Sequence, residues 1–179
     1  MSGLTQLGDV LHEEHFRIVV WMSELKNRVA GDAGELPLTP NNREEKGALC
    51  RLIAGLDHVF LHHAFEEDVL FPQMCDRGET ETAGYLAKDH AAIDPVAKRL
   101  QTSAMELLRY GADSERWRKF RDGVNALFSE MMSHLIMEEM LVLQRLHKLI
   151  DPDTDRCLAR QLSARQLAVA GFSQSIYTH

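Results

Sequence analysis

Two segments of the chain carry one pattern: His62-His-Ala-Phe-Glu66-Glu67 and His134-Leu-Ile-Met-Glu138-Glu139, each an H-x-x-x-E-E. On an α-helix, positions i and i+4 lie one above the other on a single face, so each motif aims an imidazole and a carboxylate at the same spot. Two such helices facing each other bring two nitrogens and two carboxylates into one pocket. That is the donor set of a dinuclear metal site in a helix bundle. One such motif alone reads as a surface i,i+4 pair; two of them need elements that turn them toward each other.

The apolar spacing supplies those elements. A first stripe runs Leu4, Leu7, Leu11, His15, Ile18, Met22, Leu25, Val29, in steps of three and four with a histidine in one core slot. Gly31 to Asn42, with Gly34, Pro37 and Pro40, is a loop. A second helix is expected from about Arg43 to about Cys75, with Leu52, Val59, His62, Glu66 and Val69 on one face. The third stripe is Leu86, His90, Ile93, Ala97, Leu100, Ala104, Leu107, closed by Gly111, and Asp113 or Ser114 can cap the next helix. The fourth reads Trp117, Phe120, Val124, Leu127, Met131, His134, Glu138, Leu141. Pro95 lacks the amide proton that the carbonyl of Ala91 would accept, so the third helix should bend one turn past His90.

The expected fold is all-α, an up-down-up-down four-helix bundle over residues 1–150. A tail over 151–179 comes after Asp151-Pro152, with a short helix from Asp155 to about Ala170. Its Leu158, Leu162, Leu167 and Phe172 dock on the bundle or make a homodimer. The order is itself repeated: His15-x-x-Ile18 matches His90-x-x-Ile93, and each is followed by an H-x-x-x-E-E.

Four histidines and two glutamates thus sit where apolar residues belong. A buried, unpartnered carboxylate costs several kcal/mol, and two that face each other repel. Divalent cations resolve the conflict by turning these groups into ligands. Imidazole with carboxylate, and no thiolate, suits iron, manganese or zinc. The two glutamates can bridge two ions, leaving the histidines as terminal ligands.

Composition bounds the rest. At 179 residues, 45% hydrophobic and 26% charged, the chain reads as one ordinary globular domain. A net charge of −7 disfavours nucleic acid, and Arg116, Arg118, Lys119 and Arg121 read as a solvated helix face. No apolar run approaches a membrane span, and the first residues lack the pattern of a secretory signal. Cys50, Cys75 and Cys157 fit no disulfide or metal spacing and read as reduced thiols, so the expected location is cytoplasmic.

The motifs resemble those of the hemerythrin-like (HHE cation-binding) family: a histidine on helix one, H-x-x-x-E-E-x-x-L-F-P on helix two, then the repeat. The second helix matches through Leu70-Phe71-Pro72; the fourth matches through Glu139 but carries Val142-Leu143-Gln144 in place of L-F-P. The likeness spans about residues 8–148. It implies a non-haem di-iron centre with ligands His15, His62, Glu66, His90, His134 and Glu138, both glutamates bridging. Among the competitors, His12 lacks the Ile at +3 that His15 shares with His90. His63 would pair with Glu67, a register that loses the L-F-P alignment and leaves the core face. His58 is a candidate additional ligand. Glu67 and Glu139 read as supporting or surface carboxylates, and His147 and His179 as surface residues.

The oxygen carriers of this family have a second histidine one turn further on helix three. Here Asp94 stands at that position, which implies a more open coordination sphere suited to small ligands. The first expectation is a protein that binds or senses O2, NO or reactive oxygen and nitrogen species. An oxidoreductase turning over peroxide or NO is the second. Iron donation in iron–sulfur cluster repair is the third; it ranks lower because such relatives usually carry a cysteine-bearing segment at the N-terminus, and no cysteine precedes His12.

Overall fold

The computed structural model describes residues 4–30, 37–38 and 41–176, with side chains described through Gln166. The elements are α1 (Gln6–Val29), α2 (Arg43–Phe65), a π-helical turn (Glu66–Leu70), α3 (Phe71–Asp76), α4 (Thr80–Tyr110), α5 (Ser114–Leu141), a 3-10 turn (Leu143–Arg145), α6 (Leu146–Leu149) and α7 (Pro152–Ile176). No strand occurs among the described residues. None of the described helices is long and apolar enough to cross a membrane.

Local chemistry sets the helix ends. The Thr5 hydroxyl accepts from the Gly8 amide at 3.2 Å, the Asn42 side chain from Glu44 at 2.9 Å, and the Asp113 carboxylate from Arg116 at 2.7 Å. Asp113, rather than Ser114, is therefore the cap of α5. Gly111 ends α4 at φ +75°, a left-handed conformation that glycine adopts without steric cost. α4 continues unbroken through Pro95.

The long helices pack α4 against α5, α2 against α4, and α1 against α5. Their apolar stripes build two separate clusters. One holds Ile18, Met22, Leu56, Val59, Ile93, Leu100, Leu127 and Met131. The other holds Leu7, Leu11, Phe65, Leu70, Leu86, Leu143 and Leu146. Between them lies a buried polar layer: His15, His62, His63, Glu66, His90, His134 and Glu138, each 3% exposed or less.

The expected second helix is not a single α-helix to Cys75. It widens into the π-helical turn at Glu66, where the Phe71 amide bonds the carbonyl of Glu66 instead of that of Glu67. Pro72 explains why a regular α ladder is not kept there, since it has no amide proton for the carbonyl four residues back. Wide turns of this kind recur at functional sites, and this one begins on a candidate ligand. In α5, the Val142-Leu143-Gln144 departure ends the helix, and a 3-10 turn follows.

The tail differs from expectation in length: α7 runs to Ile176. It docks in cis, burying Leu158, Ala159 and Leu162 in the cluster that holds Leu7 and Leu11. Leu167 and Phe172 lie outside the described side chains. Asp155 of α7 reaches the start of α1, where its carboxylate accepts from the Gln6 amide at 2.9 Å and the Leu7 amide at 3.2 Å. An anion at a helix N-terminus satisfies orphan donors and the helix dipole together. Asp155→Ala should cost about 1–2 kcal/mol of stability. Thermal melting would show this as a drop of several degrees; an unchanged melting temperature would mean the tail does not hold α1.

Candidate metal centre

The buried imidazoles come from α1, α2, α4 and α5, and four of the five are held from behind by a carboxylate. The Nδ1 atom of His15 lies 3.0 Å from Glu139, that of His62 3.0 Å from Glu14, that of His63 2.7 Å from Asp94, and that of His90 2.9 Å from Glu67. The Nδ1 atom of His134 faces Asp89 at 3.7 Å, beyond hydrogen-bond reach. A carboxylate at Nδ1 takes the ring proton as a hydrogen bond, fixes the ring, and leaves Nε2 as a bare and more basic lone pair.

Those Nε2 atoms converge in pairs. His15 and His62 approach to 3.2 Å through Nε2, and so do His90 and His134. The glutamates stand between the pairs. Glu66 places one oxygen 3.2 Å from His62 Nε2 and the other 3.3 Å from His90 Nε2. Glu138 places one oxygen 3.3 Å from His15 Nε2, 3.5 Å from His134 Nε2 and 3.9 Å from His62 Nε2. All four carboxylate oxygens of Glu66 and Glu138 are buried without a hydrogen bond.

Lone pairs facing lone pairs at these distances are repulsive unless positive charge lies among them. Burial and the neighbouring Glu138 push the Glu66 carboxyl well above its ordinary value. Burial would raise Glu138 too, but His15 and His62 hold it well below. Burial drives His63 down to about 3 and His134 to about 4, each only partly offset by a nearby carboxylate. For His62, burial is outweighed by Glu66, Glu138 and Glu14, which raise it well above the ordinary imidazole value. Such divergent titration within one buried layer is the pattern that functional sites display.

The donor set fits divalent cations. Two nitrogens bound to one ion at ~2.1 Å and near right angles stand ~3 Å apart, close to both observed imidazole pairs. Ring nitrogens and carboxylate oxygens of His15, His62, Glu66 and Glu138 lie within 4.8 Å of one another, as do ring nitrogens of His63, His90 and His134.

The six expected residues, His15, His62, Glu66, His90, His134 and Glu138, are thus brought together in one layer. His12 is exposed and bonds Glu139 at 2.9 Å, and His147 is exposed. His179 lies outside the described residues. His58 belongs to neither donor group; it lines a cleft. His63 is the correction. It does not leave the core face: it is 2% exposed and stacks on His90, with ring centroids 3.8 Å apart and an interplanar angle of 9°. Neighbouring residues on a helix differ by about 100°, and the buried arc of α2 is wide enough to take both His62 and His63. The competing pairing of His63 with Glu67, set aside on the sequence, is not made: Glu67 turns to His90 and Asp94 takes His63. The double histidine beside a core register was the available signal.

These features are those of a helical protein with a buried histidine–glutamate layer suited to cations, and the chain belongs to the hemerythrin HHE cation-binding domain family, whose pattern matches residues 6–146. Among curated relatives it is similar to the iron–sulfur cluster repair protein YtfE of Yersinia pseudotuberculosis serotype O:1b, strain IP 31758. The two are 28% identical over 139 residues, covering 75% of this chain and 58% of the relative. The protein of the same name from Yersinia pestis, strain Pestoides F, is 29% identical over the same coverage. The chain therefore spans under two thirds of the length of these relatives. No solved structure matches it.

Proposed function

We propose that His15, His62, Glu66, His90, His134 and Glu138 hold two non-haem iron ions at the centre of an up-down-up-down four-helix bundle, and that this centre binds or senses O2, NO or a reactive oxygen or nitrogen species. Manganese and zinc are the other ions this donor set accepts. The observation that carries the reading is the convergence of four orphaned carboxylate oxygens with paired Nε2 atoms in a buried layer. Iron there would supply coordination positions for a small ligand and a redox couple to act on it.

The chain's own residues set the terms. Glu139, Glu14 and Glu67 hold the His15, His62 and His90 rings so that Nε2 points inward before any ion arrives. The apolar clusters on either side exclude bulk water. A cleft of 390 Å³ lined by Glu14, Ile18, Trp21, Gly55, His58 and His62 leads from the surface to the His62 side of the layer. Such a cleft has room to admit a diatomic molecule or peroxide. A cytoplasmic location is part of the proposal, a compartment in which cysteines such as Cys50, Cys75 and Cys157 stay reduced.

A second reading, iron donation in cluster repair, is favoured by the names of the Yersinia relatives. Anaerobic reconstitution with ferrous iron separates the readings. Uptake of two ions per chain, followed by one slow spectral change on O2 or NO, supports binding or sensing. Repeated turnover of peroxide or NO supports an oxidoreductase, and transfer of iron to an apo iron–sulfur protein supports repair. A chain that retains neither iron nor manganese sinks all three.

A further inference from the structure

We propose that His63 is a seventh ligand of the metal centre, supplying through Nε2 a third imidazole to the ion held by His90 and His134, with Asp94 as the residue that positions its ring. The inference rests on the reading that the layer holds metal at all. It adds a donor that neither the twin motifs nor the matched family pattern assigns.

Three observations carry it. His63 is 2% exposed, yet its Nε2 atom has no hydrogen-bond partner. A core histidine kept for packing satisfies both ring nitrogens or pairs one with water; an orphaned, buried nitrogen calls for a partner. Second, its Nδ1 atom is held by Asp94 at 2.7 Å, the same arrangement that Glu139, Glu14 and Glu67 make on His15, His62 and His90. A carboxylate behind the ring is how metal-binding imidazoles are oriented. Third, ring nitrogens of His63, His90 and His134 lie within 4.8 Å of one another. His63 stacks face to face on His90, with centroids 3.8 Å apart and planes 9° from parallel, so one ring tilts out of the stack when both meet a single ion.

The packing reading of His63, a flat ring filling space beside His90 and Phe71, explains the stack but not the unpartnered Nε2 or the aspartate behind it. With His63 included, the two ions become unequal. One has three imidazoles; the other has His15 and His62 alone. The cleft ends on His62, so small ligands meet the ion with fewer imidazoles first.

The test uses the full chain and ferrous iron added anaerobically, with elemental analysis, competitive chelator titration, and Mössbauer spectra of the iron-57 form. His63→Asn is the informative variant. Its amide nitrogen can still donate to Asp94 where Nδ1 did, while the donor at Nε2 is gone. The expected result is that one of two ions is lost or bound at least about tenfold more weakly, with one ferrous quadrupole doublet changed and the other retained. Asp94→Ala, which leaves the imidazole in place but unheld, should weaken the same ion by a smaller factor and perturb the same doublet. Circular dichroism checks folding, and Asp94→Ala carries the test if His63→Asn does not fold. Two ions bound with unchanged affinity and unchanged doublets in either folded variant would overturn the proposal while leaving the six-residue centre intact. Wild-type protein that binds no metal would instead overturn the centre itself.

Discussion

Glu138→Ala should lower the metal content from two ions per chain to one or fewer, and Glu66→Ala should do the same. Each glutamate faces imidazoles of both pairs: Glu66 lies against His62 and His90, Glu138 against His15 and His134. Removing either deletes a donor to both ions at once and leaves facing lone pairs without the charge that recruits a cation. Neighbouring carboxylates give the contrast. Glu67, half exposed, lies 2.9 Å from the outer nitrogen of His90, so Glu67→Ala should keep both ions and weaken one by about 10–100-fold. Elemental analysis after desalting decides between them. If Glu67→Ala empties the centre and Glu66→Ala does not, the ligand register on α2 is wrong by one residue.

Stripping the ions with a chelator should lower the melting temperature by ~10–20 °C. Each ion held at 100 times its dissociation constant stabilises the native state by about 2.7 kcal/mol, and a domain of this size gains roughly 2–4 °C per kcal/mol. The loss should depend on pH. His15 and His62 are raised above 6.5 in the metal-free fold, burial being outweighed by the glutamates around them. Glu66 is raised above 4.5 by burial and by Glu138. Groups raised in this way stabilise the metal-free fold below their unfolded values, and the benefit fades as pH rises through the folded values.

His63, His90 and His134 are lowered by burial, so they bind protons only on unfolding and destabilise the metal-free fold as pH falls below 6.5. Metal binding needs all of these groups deprotonated. The gap between loaded and metal-free melting temperatures should therefore widen as pH rises above about 6.5 through the raised folded values of His15 and His62. Melts of both forms across that range check it; a gap that narrows with pH would show that ions do not replace protons in this layer.

Much of the centre was legible because helix periodicity is a local property. An i,i+4 pair fixes that His62 and Glu66, or His134 and Glu138, share a face whatever the rest of the chain does. The same periodicity exposed His15 and His90, since a histidine in a run of leucines on a core stripe is legible without a partner. The stripes also predicted the long helices, and Gly111 and Asp113 marked the boundary between α4 and α5. The π-helical turn was harder. Pro72 cannot complete the ladder, but whether a helix bends, breaks or widens at such a residue depends on what packs around it.

The twin motifs thus determined that this chain carries a buried layer of histidine and glutamate, and on which turns. Tertiary structure decided the rest. It turned His63 inward as well as His62, because the width of a buried face depends on how the neighbouring helices are rotated against it. It chose Asp94, Glu14, Glu67 and Glu139 as the carboxylates behind the rings, each on a different helix segment from the imidazole it holds. It also docked α7 in cis through Asp155, distant in sequence from the α1 amides it accepts from. Spacing along one helix specifies a direction; contact between helices specifies what stands in that direction.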